Sequence, residues 1–347
     1  MHAYTVEPLY VPCDQEMIAA DFYIPKTNNK SAVIIMAHGF AGLRQFKLIQ
    51  YAQRFAQAGY AVILFDYRYW GGSTGKPREM ISINYQLSTI NYQLSTINYQ
   101  LSTINYQLST INYQLSTINY QLSTINYQLS TINYQLEDWK TMIQYASTCK
   151  FIDNRRIVLW GTSLSGGYAL SLASELKNIQ AIMVQIPYVD GAETAKLYPL
   201  QRYPQALKLS SQDYMGSKMG LNPKRLPVVD QYKLCFMPTA DSYYGYLSIV
   251  NPDYYWSGEV PARVFFNLMR YRPIQLVRQI NIPVLFIAAQ HDSLIPIESS
   301  REAATNIAPF VSYHEWDMKH FDIYHGSWFE KAVTTQLEFL HQHIGVM

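Results

Sequence analysis

Short runs of apolar residues, each closed by a polar or glycine-rich segment, recur along the chain. They occupy residues 32–39, 61–68, 157–163, 181–188 and 283–292. Unbroken apolar runs of this length are typical of strands that are buried on both faces of a parallel sheet. The pattern therefore predicts a sheet whose central strands carry helices on both sides.

Amphipathic helical patterns lie between these runs, at residues 46–60, 137–147 and 166–176. Gly59 stands where the first of them should end. Alternating strands and helices predict an α/β fold with a mostly parallel, doubly wound sheet. The segments before Pro25 are expected to add an antiparallel edge.

Residues 191–282 interrupt this alternation. The segment is rich in Tyr, Pro and Met and shows no clear strand pattern. An insertion of this kind near the end of a sheet is typical of a helical cap or lid over a ligand site. We therefore expect one α/β domain over residues 1–347 that carries a cap.

A second insertion is low in complexity, because the unit YQLSTIN occurs seven times without substitution over residues 85–133. Folded structural repeats are longer and have atypical end units. Tandem copies of the heptanucleotide ATCAACT encode this peptide in every reading frame, so we interpret the tract as an expansion within a gene. Its expected conformation is an extended helix or disorder, and we expect no catalytic role. Sequencing the locus tests the origin.

Charge and cysteine content exclude several classes of protein. The 27 Lys and Arg residues nearly balance 25 Asp and Glu residues, which disfavours nucleic acid and anionic membranes as partners. Three scattered cysteines suggest neither a disulfide framework nor a zinc site. Neither a leader-like start nor a long apolar run is present, so we expect a cytoplasmic protein with a small-molecule substrate. The oligomeric state stays open.

The segment GTSLSGG, residues 161–167, follows the apolar run IVLW and precedes a helical pattern. A strand, a tight turn and a helix form the context of a nucleophile elbow, in which Ser163 is the nucleophile. Small residues are needed two positions before and after it, and Gly161 and Ser165 meet that need.

A serine nucleophile requires a base and an acid that orients the base. Asp292 closes the apolar run 283–292, and His320 follows the next predicted strand, VSYHEW. Asp317 and Asp322 are alternatives for the acid, and His314 and His325 are alternatives for the base. The segment His38-Gly39-Phe40 closes an earlier strand. The backbone amides of Phe40 and Leu164 are therefore the expected oxyanion hole, with His38 shaping the loop.

The segments AHGF, FDYRYWGGSTG, GTSLSGG, QIPYVDG, QHDSLIP and KHFDIY occur in this order. Together they resemble the α/β-hydrolase superfamily, specifically the bacterial serine hydrolases grouped with dienelactone-hydrolase-like and X-Pro-dipeptidyl-peptidase-like domains. Ser163 departs from the cysteine of dienelactone hydrolases proper. The resemblance implies that an ester, thioester or amide is hydrolysed through an acyl-enzyme without a cofactor.

Two other functions stay open on the sequence. A peptidase of the X-Pro or aminopeptidase type needs a charged anchor for a peptide amino terminus, and the cap offers only Asp213, Asp230, Asp241, Asp253 and Glu259 without singling one out. A binding protein on the same scaffold has no need of all three catalytic groups.

The segment GGSTGKP lacks the spacing of a phosphate-binding loop. His341 and His343 lack nearby partners at metal-ligand spacing.

Overall fold

The computed structural model describes residues 2–27, 29–81 and 133–345. Its strands are β1 (Tyr4–Cys13), β2 (Glu16–Pro25), β3 (Ser31–Ala37), β4 (Ala61–Phe65), β5 (Ile152–Thr162), β6 (Ala181–Gln185), β7 (Arg225–Pro227), β8 (Glu259–Pro261), β9 (Val284–Ala289) and β10 (Val311–Trp316). Eight of these form one sheet in the order β1-β2-β4-β3-β5-β6-β9-β10.

The centre of this sheet is parallel, and its edge at β1 and β2 is antiparallel. Every residue of β3, β4, β6 and β9 is buried. These strands are unbroken apolar runs because helices cover both of their faces. The predicted mostly parallel α/β sheet is thus confirmed, and so is its antiparallel edge.

The helices are α1 (Leu48–Gln57), α2 (Asn133–Thr148), α3 (Leu164–Glu175), α4 (Gly191–Lys196), α5 (Tyr203–Lys218), α6 (Ala240–Ile249), α7 (Val264–Arg270), α8 (Ile297–Ile307) and α9 (Gly326–His343). Helix α1 packs against α9, and α2 packs against α3. The chain leaves α1 through Gly59 at φ 96°, a conformation that favours glycine. In the described part of the chain, no helix is both long and apolar enough to cross a membrane.

Residues 191–282 form α4 to α7 together with a small antiparallel sheet of β7 and β8. The segment expected to form a helical cap therefore also contains two short strands. Each of the two strands has only three residues, which is too short for an alternating pattern to show. Of the tandem repeat 85–133, only Asn133, the first residue of α2, lies within the described residues.

Candidate active site

Ser163 joins β5 to α3 with a backbone conformation of φ 53° and ψ −121°. This conformation is strained for a residue with a side chain, and the surrounding hydrogen bonds maintain it. The amide of Ser163 donates to the carbonyl of Gln185 at 3.0 Å, and its carbonyl accepts from the amide of Tyr188 at 2.8 Å. The turn is therefore bonded both to the last residue of β6 and to the segment that follows β6.

Packing around this turn explains the small residues in GTSLSGG. A Cβ on Gly161 would lie 2.3 Å from the carbonyl oxygen of Ser165, and one on Gly167 would lie 2.3 Å from that of Tyr188. Ser165 itself is fully buried. Its hydroxyl donates to the carbonyl of Ala37 at 2.7 Å and accepts from the amide of Thr162 at 2.9 Å. Ser165 therefore has a structural role.

Asp292 and His320 form a buried pair behind Ser163. The Nδ1 atom of His320 lies 2.6 Å from Oδ2 of Asp292, and only 5% and 3% of the two side chains are exposed. The other carboxylate oxygen accepts from the amides of Leu294 and Ile295 at 2.8 and 2.9 Å. A carboxylate only accepts, so Nδ1 carries a proton and Nε2 is available as a base.

The alternative residues for this pair have partners elsewhere. His314 and His325 each contact a serine hydroxyl, at 3.2 and 2.9 Å. Asp317 lies 2.7 Å from the exposed His291, and Asp322 accepts from a backbone amide of its own loop. Neither acidic residue therefore orients a histidine towards the elbow.

Two cavities meet at Ser163. The smaller, of about 30 Å³, is lined by Ser163, His320 and Thr162 among others. The larger, of about 100 Å³, is lined by Ser163 and Leu164 but not by His320. Among the described residues, no hydrogen bond joins Ser163 to His320. Such bonds are often long before a substrate binds.

Three successive carbonyl groups of the oxyanion loop are each held by a side chain. Gly39 accepts from Nδ1 of His38, Phe40 accepts from the hydroxyl of Tyr246, and Ala41 accepts from the indole of Trp256, all at 2.9 Å. The Gly39 carbonyl and the Phe40 amide belong to one planar trans peptide, so they point in opposite directions. His38 therefore sets the direction of the Phe40 amide.

His38 itself is buried, and burial lowers its pKa although Asp66 acts in the opposite direction. The ring is accordingly neutral, and its contact with a carbonyl places the proton on Nδ1. Its Nε2 lies 3.8 Å from Asp66. Asp66 follows β4 and also accepts from the amides of Arg44 and Gly72, which ties the oxyanion loop to the sheet.

Tyr246 and Trp256 are site residues that the sequence analysis missed. Their rings stack at 5.2 Å with an interplanar angle of 17°. They lie 206 and 215 residues from the carbonyls that they bind, in a segment full of aromatic residues. Nothing in their spacing distinguishes them from aromatic residues of the core of the cap.

The family model described as BD-FAE matches residues 71–307, more than half of the chain. The chain belongs to the BD-FAE family. This BD-FAE chain is an enzyme of the α/β-hydrolase superfamily, as the motifs predict.

Proteins similar to this BD-FAE hydrolase match it nearly end to end. The quorum-quenching protein AidA of Acinetobacter baumannii is 29% identical over 342 residues, covering 98% of this chain and 96% of that protein. An uncharacterized 31.7 kDa protein from the traX-finO intergenic region of Escherichia coli is 26% identical, covering 95% of this 40.1 kDa chain and 97% of its own length. The crystal structure of the α/β hydrolase GrgF from Penicillium sp. sh18 is 16% identical with a TM-score of 0.71, covering 99% of both chains.

Proposed function

We propose that this BD-FAE hydrolase cleaves a carboxylic ester or thioester through an acyl-enzyme. Ser163 is the nucleophile, His320 is the base and Asp292 orients the imidazole. One observation carries the proposal: His320, joined to the buried Asp292 side chain at 2.6 Å, lines a cavity that is also lined by the strained Ser163.

The chemistry follows from these positions. His320 Nε2 removes the hydroxyl proton as the Ser163 oxygen attacks the substrate carbonyl. The amides of Phe40 and Leu164 receive the negative oxygen, and His320 then gives its proton to the leaving group. A water molecule repeats the sequence on the acyl-enzyme. Asp292 stabilises the imidazolium throughout, and no cofactor takes part.

The two cavities give the substrate an orientation. The proton of His320 must reach the leaving group, so the leaving group belongs in the small cavity that His320 lines. The acyl group then occupies the larger cavity, whose walls include Phe236, Phe265 and Leu268.

The peptidase alternative has less support. None of the described residues that line either cavity is acidic, so a peptide amino terminus has no anchor there. Among the candidate anchors in the cap, Asp213 is buried and bound to Arg263 at 3.1 Å. Membership of an enzyme family also removes the reason to prefer a binding protein. We therefore favour an apolar acyl ester or thioester over a peptide.

Covalent labelling with a fluorophosphonate, read by intact mass, tests the proposal. We expect a single adduct on the wild type and none on Ser163→Ala. Ser165→Ala is the matched control: it loses the buried hydrogen bonds of the Ser165 hydroxyl, which costs about 1–3 kcal/mol of stability, but it keeps the adduct. An adduct on Ser163→Ala, or none on a folded wild type, contradicts the proposed nucleophile. Circular dichroism checks folding.

A further inference from the structure

We infer that the acyl cavity opens through the cap into an apolar groove on its outer surface, and that this groove receives the distal part of a long acyl chain. The inference rests on the proposed function and names its substrate class. Ala195 of α4 and Met269 of α7 line both the 100 Å³ cavity and an outer groove of about 550 Å³. Two side chains thus form a wall shared by the two spaces.

The outer groove has the chemistry of a surface for an alkyl chain. Its walls include Leu200, Tyr203, Leu207 and Phe266, and Leu200 is 79% exposed. Tyr203, Leu207 and Phe266 are half-buried, and Lys196 and Arg270 also line the groove. Apolar residues grouped around an open groove are typical of a ligand site. Because the groove shares a wall with the proposed acyl cavity, its expected occupant is the same substrate.

Local packing shows where the shared wall is closed and where it can open. At the start of α4, a Cβ on Gly191 would lie 2.0 Å from the carbonyl oxygen of Leu268, so the backbones touch there. Asp190 and Arg272 lock this end through two hydrogen bonds of 2.9 and 2.8 Å. One turn later the wall residue is Ala195, the smallest that has a Cβ.

Met269 completes the wall opposite Ala195. Its side chain is unbranched and has several accessible rotamers, which suits a residue that must move aside. Its sulfur lies 3.6 Å from the hydroxyl of Tyr203, a weak contact that does not fix the rotamer strongly. An acyl chain too long for the 100 Å³ cavity therefore has to continue past this pair.

Alkyl fluorophosphonates with C4 and C16 chains test the inference on the full chain, used below the critical micelle concentration. The Ser163 oxygen bonds to phosphorus, fluoride leaves and His320 takes the hydroxyl proton. Each buried methylene can favour binding up to about fourfold. We expect the C16 reagent to label the wild type at least about tenfold faster than the C4 reagent, since the groove is open to solvent on one side.

Two variants locate the chain. Ala195→Trp blocks the opening, and Leu200→Asp places a charge in the groove at an exposed position that folding tolerates. In both, we expect the C16-to-C4 ratio of labelling rates to fall about tenfold. Leu221→Asp is the matched control, because Leu221 is an exposed cap residue outside both cavity and groove, and it should keep the wild-type ratio.

The outcomes separate this inference from the proposed function. If both variants keep the wild-type C16-to-C4 ratio of labelling rates, the groove does not bind the acyl chain and the inference is wrong. C4 labelling of Ser163 still supports the proposed hydrolase in that case. A ratio that changes in Ala195→Trp but not in Leu200→Asp means that the chain ends inside the cavity, which also overturns the groove. Absence of labelling by either reagent contradicts the proposed function, and the inference falls with it.

Discussion

At the scale of single residues, a neighbouring side chain holds the peptide between Gly39 and Phe40, whose amide is a proposed oxyanion donor. His38 holds the carbonyl end of this peptide at 2.9 Å, so the amide end points the other way. An oxyanion donor contributes only when it is aimed at the developing charge. His38 is therefore a positioning residue in the proposed mechanism.

Substitutions at His38 test that role. His38→Leu removes the donor to Gly39, and we expect kcat to fall about 10- to 100-fold, less than the loss of a whole oxyanion donor. His38→Asn places an amide nitrogen near the position of Nδ1 and should recover most of kcat. Steady-state kinetics with a short-chain ester measures both. Equal losses in the two variants contradict a role through this hydrogen bond.

The same residue predicts a dependence of stability on pH. Burial lowers the folded-state pKa of His38 below its ordinary value of 6.5, so the unfolded chain binds this proton first as pH falls. The contribution of the neutral His38 ring to the free energy of unfolding is complete above pH 6.5. Below that pH it decreases by up to about 1.4 kcal/mol per pH unit. Urea unfolding at several pH values between 5 and 6.5 measures the free energy of unfolding. We expect this free energy to fall less steeply with decreasing pH in His38→Asn than in wild type. Identical slopes contradict a neutral buried ring.

At the scale of elements, the cap and the oxyanion loop are joined by defined hydrogen bonds. Tyr246 in α6 and Trp256 after it bind two successive carbonyls of the loop. The cap is therefore bonded to the two peptides that follow the Phe40 amide, and we expect it to help position that amide.

Tyr246→Phe removes one of these bonds and keeps the ring stack. We expect kcat to fall about tenfold, with a smaller change in the free energy of unfolding of about 1 kcal/mol. Tyr244→Phe is the control on the same helix, since the exposed Tyr244 hydroxyl accepts from Gln231 of the cap and, among the described residues, has no bond to the loop. Equal kinetics for the two variants mean that the cap does not position the loop.

The sequence predicts some elements better than others for physical reasons. Strands such as β3 and β9 are apolar runs, so the hydrophobic pattern alone indicates where each strand ends. Phe40 and Asp292 follow these ends and could therefore be predicted from the sequence. β7 and β8 have too few residues to show a period. The bonds of Tyr246 and Trp256 depend on contacts more than 200 residues apart, which no local pattern encodes.

At the scale of the whole molecule, the described residues that flank the tandem repeat on its two sides lie close together. The carbonyl of Met80 accepts from the side chain of Gln135 at 3.3 Å and from the indole of Trp70 at 3.1 Å. Next to it, the carbonyl of Ile81 accepts from Asn267 of α7 at 3.0 Å. The described segments that precede and follow the insertion are therefore hydrogen-bonded to each other.

A variant that lacks residues 85–133 tests whether the insertion is dispensable. The deletion leaves Asn84 before Tyr134, in the place of Asn133, and shortens the connection from Met80 to Gln135 from 54 to 5 residues. Loop-closure entropy then predicts a gain of about 2 kcal/mol in the free energy of unfolding. Denaturant unfolding and Ser163 labelling measure the outcome. A less stable or unlabelled variant shows that the repeat supports the fold.

The hydrogen bond of the Ile81 carbonyl connects this insertion point to α7, which is useful for protein engineering. Its partner Asn267 lies in the same helix as Met269, which lines the proposed acyl cavity. A sensor domain whose own termini lie close together could replace the repeat between Asn84 and Tyr134, which keeps Ile81 in place. Ligand-driven motion of that domain would then pull on α7, and hydrolysis would report on a second molecule.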